Sequence, residues 1–389
     1  MQPNPFRPGA GSVPPVIAGR KKELSEIESG TAQTMAGSPA RHIMFYGLRG
    51  VGKTVLLTEA ENVALKAGLL VFKHEVSEGD DSRVVLAQIF RKAVLSLSRK
   101  EQAKEWSKKA LGVLKSFTLT IEGVDLKIDT DAWLGEGDSG NLSNDLADVV
   151  VSCGDLCKQS DQGVCIVIDE VQYLSEEALR AIIETAHRVN QKNYPIFFIC
   201  AGLPQVAALS GDAKSYAERL FDYTHISELG VIDDFDYGIE ALTKPFIDAG
   251  FEFKDDAALL SMDVTGRYPY FIQELGSILW PMAHEGPVTI NSVNTAKGRM
   301  NEALDHGFFR VRIDRSTELE KIFMKAMTQF NGPVYEMARV AKFMGREVKS
   351  LGPLRAGLIK KGFVYSPSYG KISFTVHHFE KYLIRNPQA

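Results

Sequence analysis

The chain has 389 residues, 44% of them hydrophobic and 24% charged, with a formal net charge of −4. That is enough apolar material for one large core or two to three domains. No run of about 18 uninterrupted apolar residues occurs, which excludes a membrane-spanning helix, and the Pro/Gly-rich first 15 residues lack the basic-then-apolar order of a secretory signal, so a cytoplasmic location is expected.

In chain order, residues 1–16 read as a flexible arm, followed by Gly19-Arg20-Lys21-Lys22-Glu23-Leu24 opening an amphipathic helix. An apolar strand over 43–46 runs into Gly47-Leu48-Arg49-Gly50-Val51-Gly52-Lys53-Thr54-Val55. The spacing Gly-x-x-x-x-Gly-Lys-Thr is a phosphate-cradling P-loop between a strand and a helix. Its glycines let successive main-chain N–H groups point at phosphate oxygens, and the following helix turns its positive end to the same charge. Lys53 is then placed to reach the β- and γ-phosphates of ATP and Thr54 to ligate Mg²⁺.

Further strands are expected at 69–74, 164–168, 196–200 and 223–226, with helices between them, which predicts an α/β fold: a parallel sheet with helices on both faces. The stretch from 98 to 142 reads as an insertion, with a charged helix over 100–116 and a hairpin of strands 117–121 and 124–128 around Glu122-Gly123. The run Val164-Cys165-Ile166-Val167-Ile168-Asp169-Glu170 is a buried strand ending in two acids. At the carboxyl edge of such a sheet, Asp169 would orient the Mg²⁺ shell and Glu170 would polarise the attacking water. Cys153, Cys157, Cys165 and Cys200 fall inside helix or strand segments without zinc-site spacing, so reduced core thiols are expected.

From 234 the pattern becomes helical, at 235–249, 255–264, 270–283 and 291–309, the size of a small lid. After 310 the charge changes sign: residues 311–389 hold 14 Lys plus Arg against 6 Asp plus Glu, a charge of +8, leaving −12 on the first 310. Three helices at 317–330, 334–344 and 350–361 and a hairpin over 363–376 predict a winged helix. Leu354, Leu358 and Ile359 are expected in its core, with Lys349, Arg355, Lys360 and Lys361 facing out and Lys371 at the wing tip. That basic face suits duplex DNA, with phosphate contacts beside a helix in the major groove.

These residues resemble the AAA+ ATPases, and within them the bacterial and archaeal ATPases related to origin-recognition initiators. The resemblance implies an AAA+ core over 17–232, a helical lid over 233–310 and a C-terminal winged-helix domain over 311–389. It implies that Gly19 and Arg20 belong to an adenine-side motif, that Arg219 is an arginine finger acting on a neighbour's γ-phosphate within a homo-oligomer, and that Arg267, in Gly266-Arg267-Tyr268-Pro269, is a second sensor. One departure stands out. Where many relatives place a polar sensor at a strand end, this chain has Cys200-Ala201-Gly202, which implies either slow hydrolysis or sensing by a nearby side chain such as Gln172. The implied function is an ATP-hydrolysing switch that binds DNA. The alternatives are a signalling ATPase of STAND type, whose winged helix and insertion bind protein partners, and a loader or regulator of a DNA-transaction enzyme.

Overall fold

The computed structural model describes every residue except 1, 10, 99–103, 120–130, 133, 208–216 and 389. The chain forms two compact units, one of residues 21–46 and 53–225, the other of residues 1–20, 47–52 and 226–389.

The first unit is built on five parallel strands, β1 (His42–Tyr46), β2 (Leu70–Glu75), β3 (Val164–Asp169), β4 (Ile196–Gly202) and β5 (Phe221–His225), in the spatial order β2-β3-β4-β1-β5. In the register Ile168 lies beside His74 and Cys200, and Met44 beside Cys200 and Tyr223. β3 and β4 are buried along their whole length, which explains why they read as continuous apolar runs rather than alternating ones. Helices α1 (Lys21–Met35), α2 (Lys53–Lys66), α3 (Ser82–Leu97), α4 (Lys104–Leu119), α5 (Leu142–Ser160) and α6 (Glu176–Lys192) accompany the sheet.

Local chemistry sets the helix ends. Ser175 accepts the Ala178 N–H at the start of α6, Asn141 accepts the Asn144 N–H at the start of α5, and left-handed Asn193 and Asp161 terminate the same two helices. The four cysteines are buried and free, and burial pushes the Cys200 thiol up to about 12, as expected of core thiols.

The hairpin expected at 117–121 is overturned for its first residues. Phe117 to Leu119 finish helix α4, because Ala110, Val113, Leu114 and Phe117 recur at helical spacing and are all buried in the core shared with α3 and α5. The strand expected at 124–128 lies outside the described residues.

Burial drives one pH effect. His42 has no exposed surface, its Nδ1 accepts the Phe198 N–H at 3.2 Å, and burial lowers its pKa to about 4. A folded-state value below the unfolded one means stability is full above about pH 6.5 and drains away as pH falls toward 4. At pH 5 the loss amounts to about 2 kcal/mol. Denaturant titrations at pH 7 and pH 5 should show this loss, and His42→Leu should flatten it.

In the second unit, four helices follow a short hairpin: α7 (Tyr237–Asp248), α8 (Asp255–Thr265), α9 (Pro269–Ala283) and α10 (Ile290–Ala303), the last continuing through a π-helical turn, Leu304–Phe309. The arm is not loose. Phe6 is 4% exposed, with its ring 5.2 Å from that of Phe246 and 6.1 Å from that of Trp280, and the Trp280 Nε1–H donates to the Gln2 carbonyl. Burying one phenylalanine stabilises by roughly 2–3 kcal/mol, enough to hold a segment whose composition suggests an untethered tail.

The C-terminal region contains α11 (Glu318–Met327), β6 (Val334–Glu336), α12 (Met337–Phe343), α13 (Gly352–Lys360), β7 (Val364–Tyr365), β8 (Lys371–Phe374) and α14 (Phe379–Arg385), with the sheet order β6-β8-β7. The expected helix at 334–344 therefore begins as a strand. Tyr335, 2% exposed, sits opposite Ile372 in the ladder and donates its hydroxyl to Glu380 at 2.6 Å, so tertiary pairing overrides the local helical pattern. Of the three residues expected in the core of α13, Leu358 is fully buried and Leu354 and Ile359 are half-buried.

Candidate nucleotide-binding site

β1 and β3 are parallel members of one sheet, so their carboxyl ends lie on one edge. α2 opens at Lys53, directly after the loop, and Lys53 is 6% exposed. At the end of β3 the Thr54 hydroxyl donates to Asp169 Oδ2 at 2.7 Å. Asp169 is 2% exposed; burial raises its pKa, while the Thr54 hydrogen bond, the Glu170 amide and Lys53 pull it back. A buried carboxylate and a hydroxyl held together supply two hard oxygen ligands, and a cation there would relieve the cost of burying the charge. The pair fits Mg²⁺, which takes one or two protein ligands and completes its shell with phosphate oxygens and water.

Glu170 occupies the left-handed region, φ 55°, and its carbonyl accepts the Tyr173 N–H in a one-turn helix, Val171–Tyr173. Holding a glutamate there costs on the order of 1 kcal/mol, a strain typical of reactive positions. Its carboxylate accepts a hydrogen bond from the Gln172 side-chain amide. Among the described residues, no cluster of three or more His, Cys, Asp or Glu is arranged to hold a metal.

The loop residues 47–52 belong to the second unit, where they are held on several sides. A Cβ on Gly47 would lie 2.1 Å from the Ile226 carbonyl oxygen, so only glycine fits. The Gly50 carbonyl accepts the Tyr270 N–H at 3.2 Å. The Arg20 guanidinium, buried, donates to the Val51 and Ser227 carbonyls, so Arg20 braces the loop's main chain. Gly19, at φ 64°, lies against Tyr237. The Arg49 N–H donates to the Thr375 carbonyl at 3.0 Å, and Arg49 forms a parallel bridge with Val376. Beside this bridge, His377 stacks on Tyr268 with ring centroids 4.5 Å apart. No spacing in the sequence signals these pairings between residues 49 and 375 or between 268 and 377. Leu48 is the second residue of the loop, and Val55 lies in the first turn of α2.

Arg267 is at φ 61° and its guanidinium contacts Asp236 at 2.5 Å, the residue that caps α7 through the Gly238 and Ile239 N–H groups. Arg219 is exposed on a single helical turn, Ala217–Leu220, just before β5. Among the basic residues of the C-terminal region, Lys349, Lys360 and Lys371 are exposed and Arg355 is half-buried. Lys361 does not face freely outward, since it contacts Glu320 at 2.7 Å and the Arg315 carbonyl at 3.2 Å. Glu320 resists ionisation through burial, but the bonds from Lys361 and Thr317 outweigh that and hold its carboxyl below the ordinary range.

This strand order, loop and acidic strand end define a P-loop nucleotide-binding fold. Residues 16–199 match the profile of the AAA ATPase domain family, and residues 306–383 match a second profile, described as a domain of unknown function, DUF8462. Residues 16–199 thus form an AAA ATPase domain on a P-loop fold. Among solved structures it is similar to the Walker-type ATPase PABY2304 of Pyrococcus abyssi, at 13% identity and TM-score 0.58, covering 95% of this chain and 96% of that one. Other similar structures are the Aeropyrum pernix ORC1 protein in complex with DNA, at 14% identity and TM-score 0.46 over 100% and 98% of the two chains, and the Thermotoga maritima RuvB Holliday junction branch migration motor, at 14% and 0.44 over 94% of each. No curated protein matches the sequence. Among the described residues, no helix is long and apolar enough to cross a membrane.

Proposed function

We propose that the chain is an ATP-driven molecular switch whose C-terminal winged-helix region binds duplex DNA. ATP binds at the loop 47–52 with Lys53, and Thr54 and Asp169 hold Mg²⁺. When bound, the metal neutralises charge on the β- and γ-phosphate oxygens. Glu170 accepts a proton from the attacking water as its oxygen bonds to the γ-phosphorus and the bond to the β-phosphate oxygen breaks, giving ADP and phosphate.

The observation that carries the switch reading is the pairing of Arg49 with Thr375 and Val376. A loop that changes with its phosphates and is hydrogen-bonded to the basic region gives that region a direct stake in nucleotide state. In this reading Arg267 exchanges Asp236 for a γ-phosphate, and Arg219, exposed, acts on a second copy of the chain in a homo-oligomer. A cytoplasmic site of action accords with these partners.

DNA binding rests on the exposed Lys349, Lys360 and Lys371 and on the +8 charge of residues 311–389. In the test, affinity for random duplex is measured against salt with ATP, ADP and no nucleotide. Replacing Lys349, Lys360 and Lys371 together by alanine should lower the slope of log K against log salt by about 2 to 3 and weaken all sequences alike. A wild-type chain without salt-sensitive affinity in any nucleotide state would overturn the DNA assignment. It would favour a protein partner, a reading supported by the exposed apolar side chains of Phe343 and Val348.

A further inference from the structure

Two features of the hydrolytic strand ends stand unexplained by the acid pair alone. β4 ends in Cys200, Ala201 and Gly202, all buried, and offers no charged or amide side chain to the neighbouring end of β3. Gln172, by contrast, is engaged at both faces of its amide. Its Nε2 donates to Glu170 Oε2, and its Oε1 accepts the Leu203 N–H at 3.0 Å, immediately beyond β4.

The orientation of that amide is fixed by its neighbours. Flipped, it would set its oxygen against a carboxylate and its N–H groups against another N–H donor, losing both bonds. The backbone beneath it is also fixed, because Val171 is 1% exposed and the one-turn helix is closed by Tyr173 N–H to Glu170 O at 3.0 Å and Leu174 N–H to Val171 O at 3.1 Å. On the β4 side, a Cβ at Gly202 would lie 3.0 Å from Gln172 Oε1 and 2.6 Å from a Val206 methyl, so the missing side chain is what lets the amide reach the strand.

We propose that Gln172 is a positioning residue for hydrolysis: it aims the Glu170 carboxylate and ties that aim to the main chain at the end of β4. Gln172 touches neither water nor phosphate in this scheme and acts through Glu170. Glutamine suits the task because a single planar amide carries one donor face for a carboxylate and one acceptor for a backbone N–H. Any movement of the β4 end on nucleotide binding is delivered to the base through the two covalent bonds of one amide and the hydrogen bond at each end of it. The inference rests on the assignment of Glu170 as the base.

The test uses two variants of the full chain. Gln172→Met keeps the volume and loses both hydrogen bonds; Gln172→Glu keeps the acceptor for Leu203 and sets a second carboxylate against Glu170. Both should lower kcat, by about 10- to 100-fold, since a misaimed group costs on this order. ATP affinity and unfolding midpoint should stay near wild type for Gln172→Met, a split that loss of packing alone would not produce. Wild-type kcat in both variants, alongside an inactive Glu170→Gln, would overturn the role of Gln172 and leave the base assignment standing. Wild-type kcat in Glu170→Gln would instead sink the base assignment beneath it. A parallel loss of kcat, ATP affinity and stability in Gln172→Met would reduce Gln172 to a structural residue and also overturn the proposal.

Discussion

Glu170→Gln is expected to bind ATP about as tightly as the wild type while kcat falls by at least about 100-fold, the usual contribution of a well-placed general base. The substitution keeps the shape of the side chain and removes its ability to take a proton. It should leave the fold alone, because the Glu170 carbonyl, which accepts the Tyr173 N–H, is untouched. An amide at 170 also presents either a donor or an acceptor to Gln172, so the pair can still form one hydrogen bond. A nucleotide-loaded, stalled protein is the expected product, visible as retained ATP after gel filtration. Turnover at the wild-type rate would refute the assignment.

Lys53→Ala should have the opposite signature: ATP affinity falling by about 100-fold or more, followed by calorimetry with Mg²⁺ present. Lys53 is 6% exposed at the first turn of α2, so its charge acts with little screening. Charge-assisted hydrogen bonds are worth roughly 1.5–3 kcal/mol each, and a lysine bridging two phosphates makes more than one. The loss has a second route. Lys53 is one of the groups that pull the Asp169 pKa down against burial, so its removal makes Asp169 harder to ionise and a poorer metal ligand. Binding unchanged in Lys53→Ala would exclude the loop as the phosphate site.

What could be read from the sequence were features with a short period or a short spacing. The P-loop, the apolar run ending at Asp169 and Glu170, and all five core strands are local patterns, and the strands fall within about two residues of their expected ends. The errors arise where a distant partner decides. The strand at Val334–Glu336 exists because residues near 372 lie opposite it, and the arm is anchored because Phe246 and Trp280 wait some 240 residues or more downstream. Helix α4 is a different case, since the helical spacing of Ala110, Val113, Leu114 and Phe117 is itself local and extends past residue 116, where the alternating residues 117–121 predict a strand. Lys361 shows the limit for surface charge: helical phase placed it outward, and only the fold reveals Glu320 beneath it.

The excursion of residues 47–52 out of the sheet-bearing unit bears on biosynthesis. The strand before this segment and the helix after it find their neighbours within the first 225 residues, whereas the segment itself waits for residues 226, 270 and 375 to leave the ribosome. A nascent chain can thus complete its parallel sheet while its anion cradle still lacks these later supports. A polypeptide interrupted before residue 375 would therefore carry the sheet with a phosphate loop that lacks the Thr375 carbonyl as partner for Arg49.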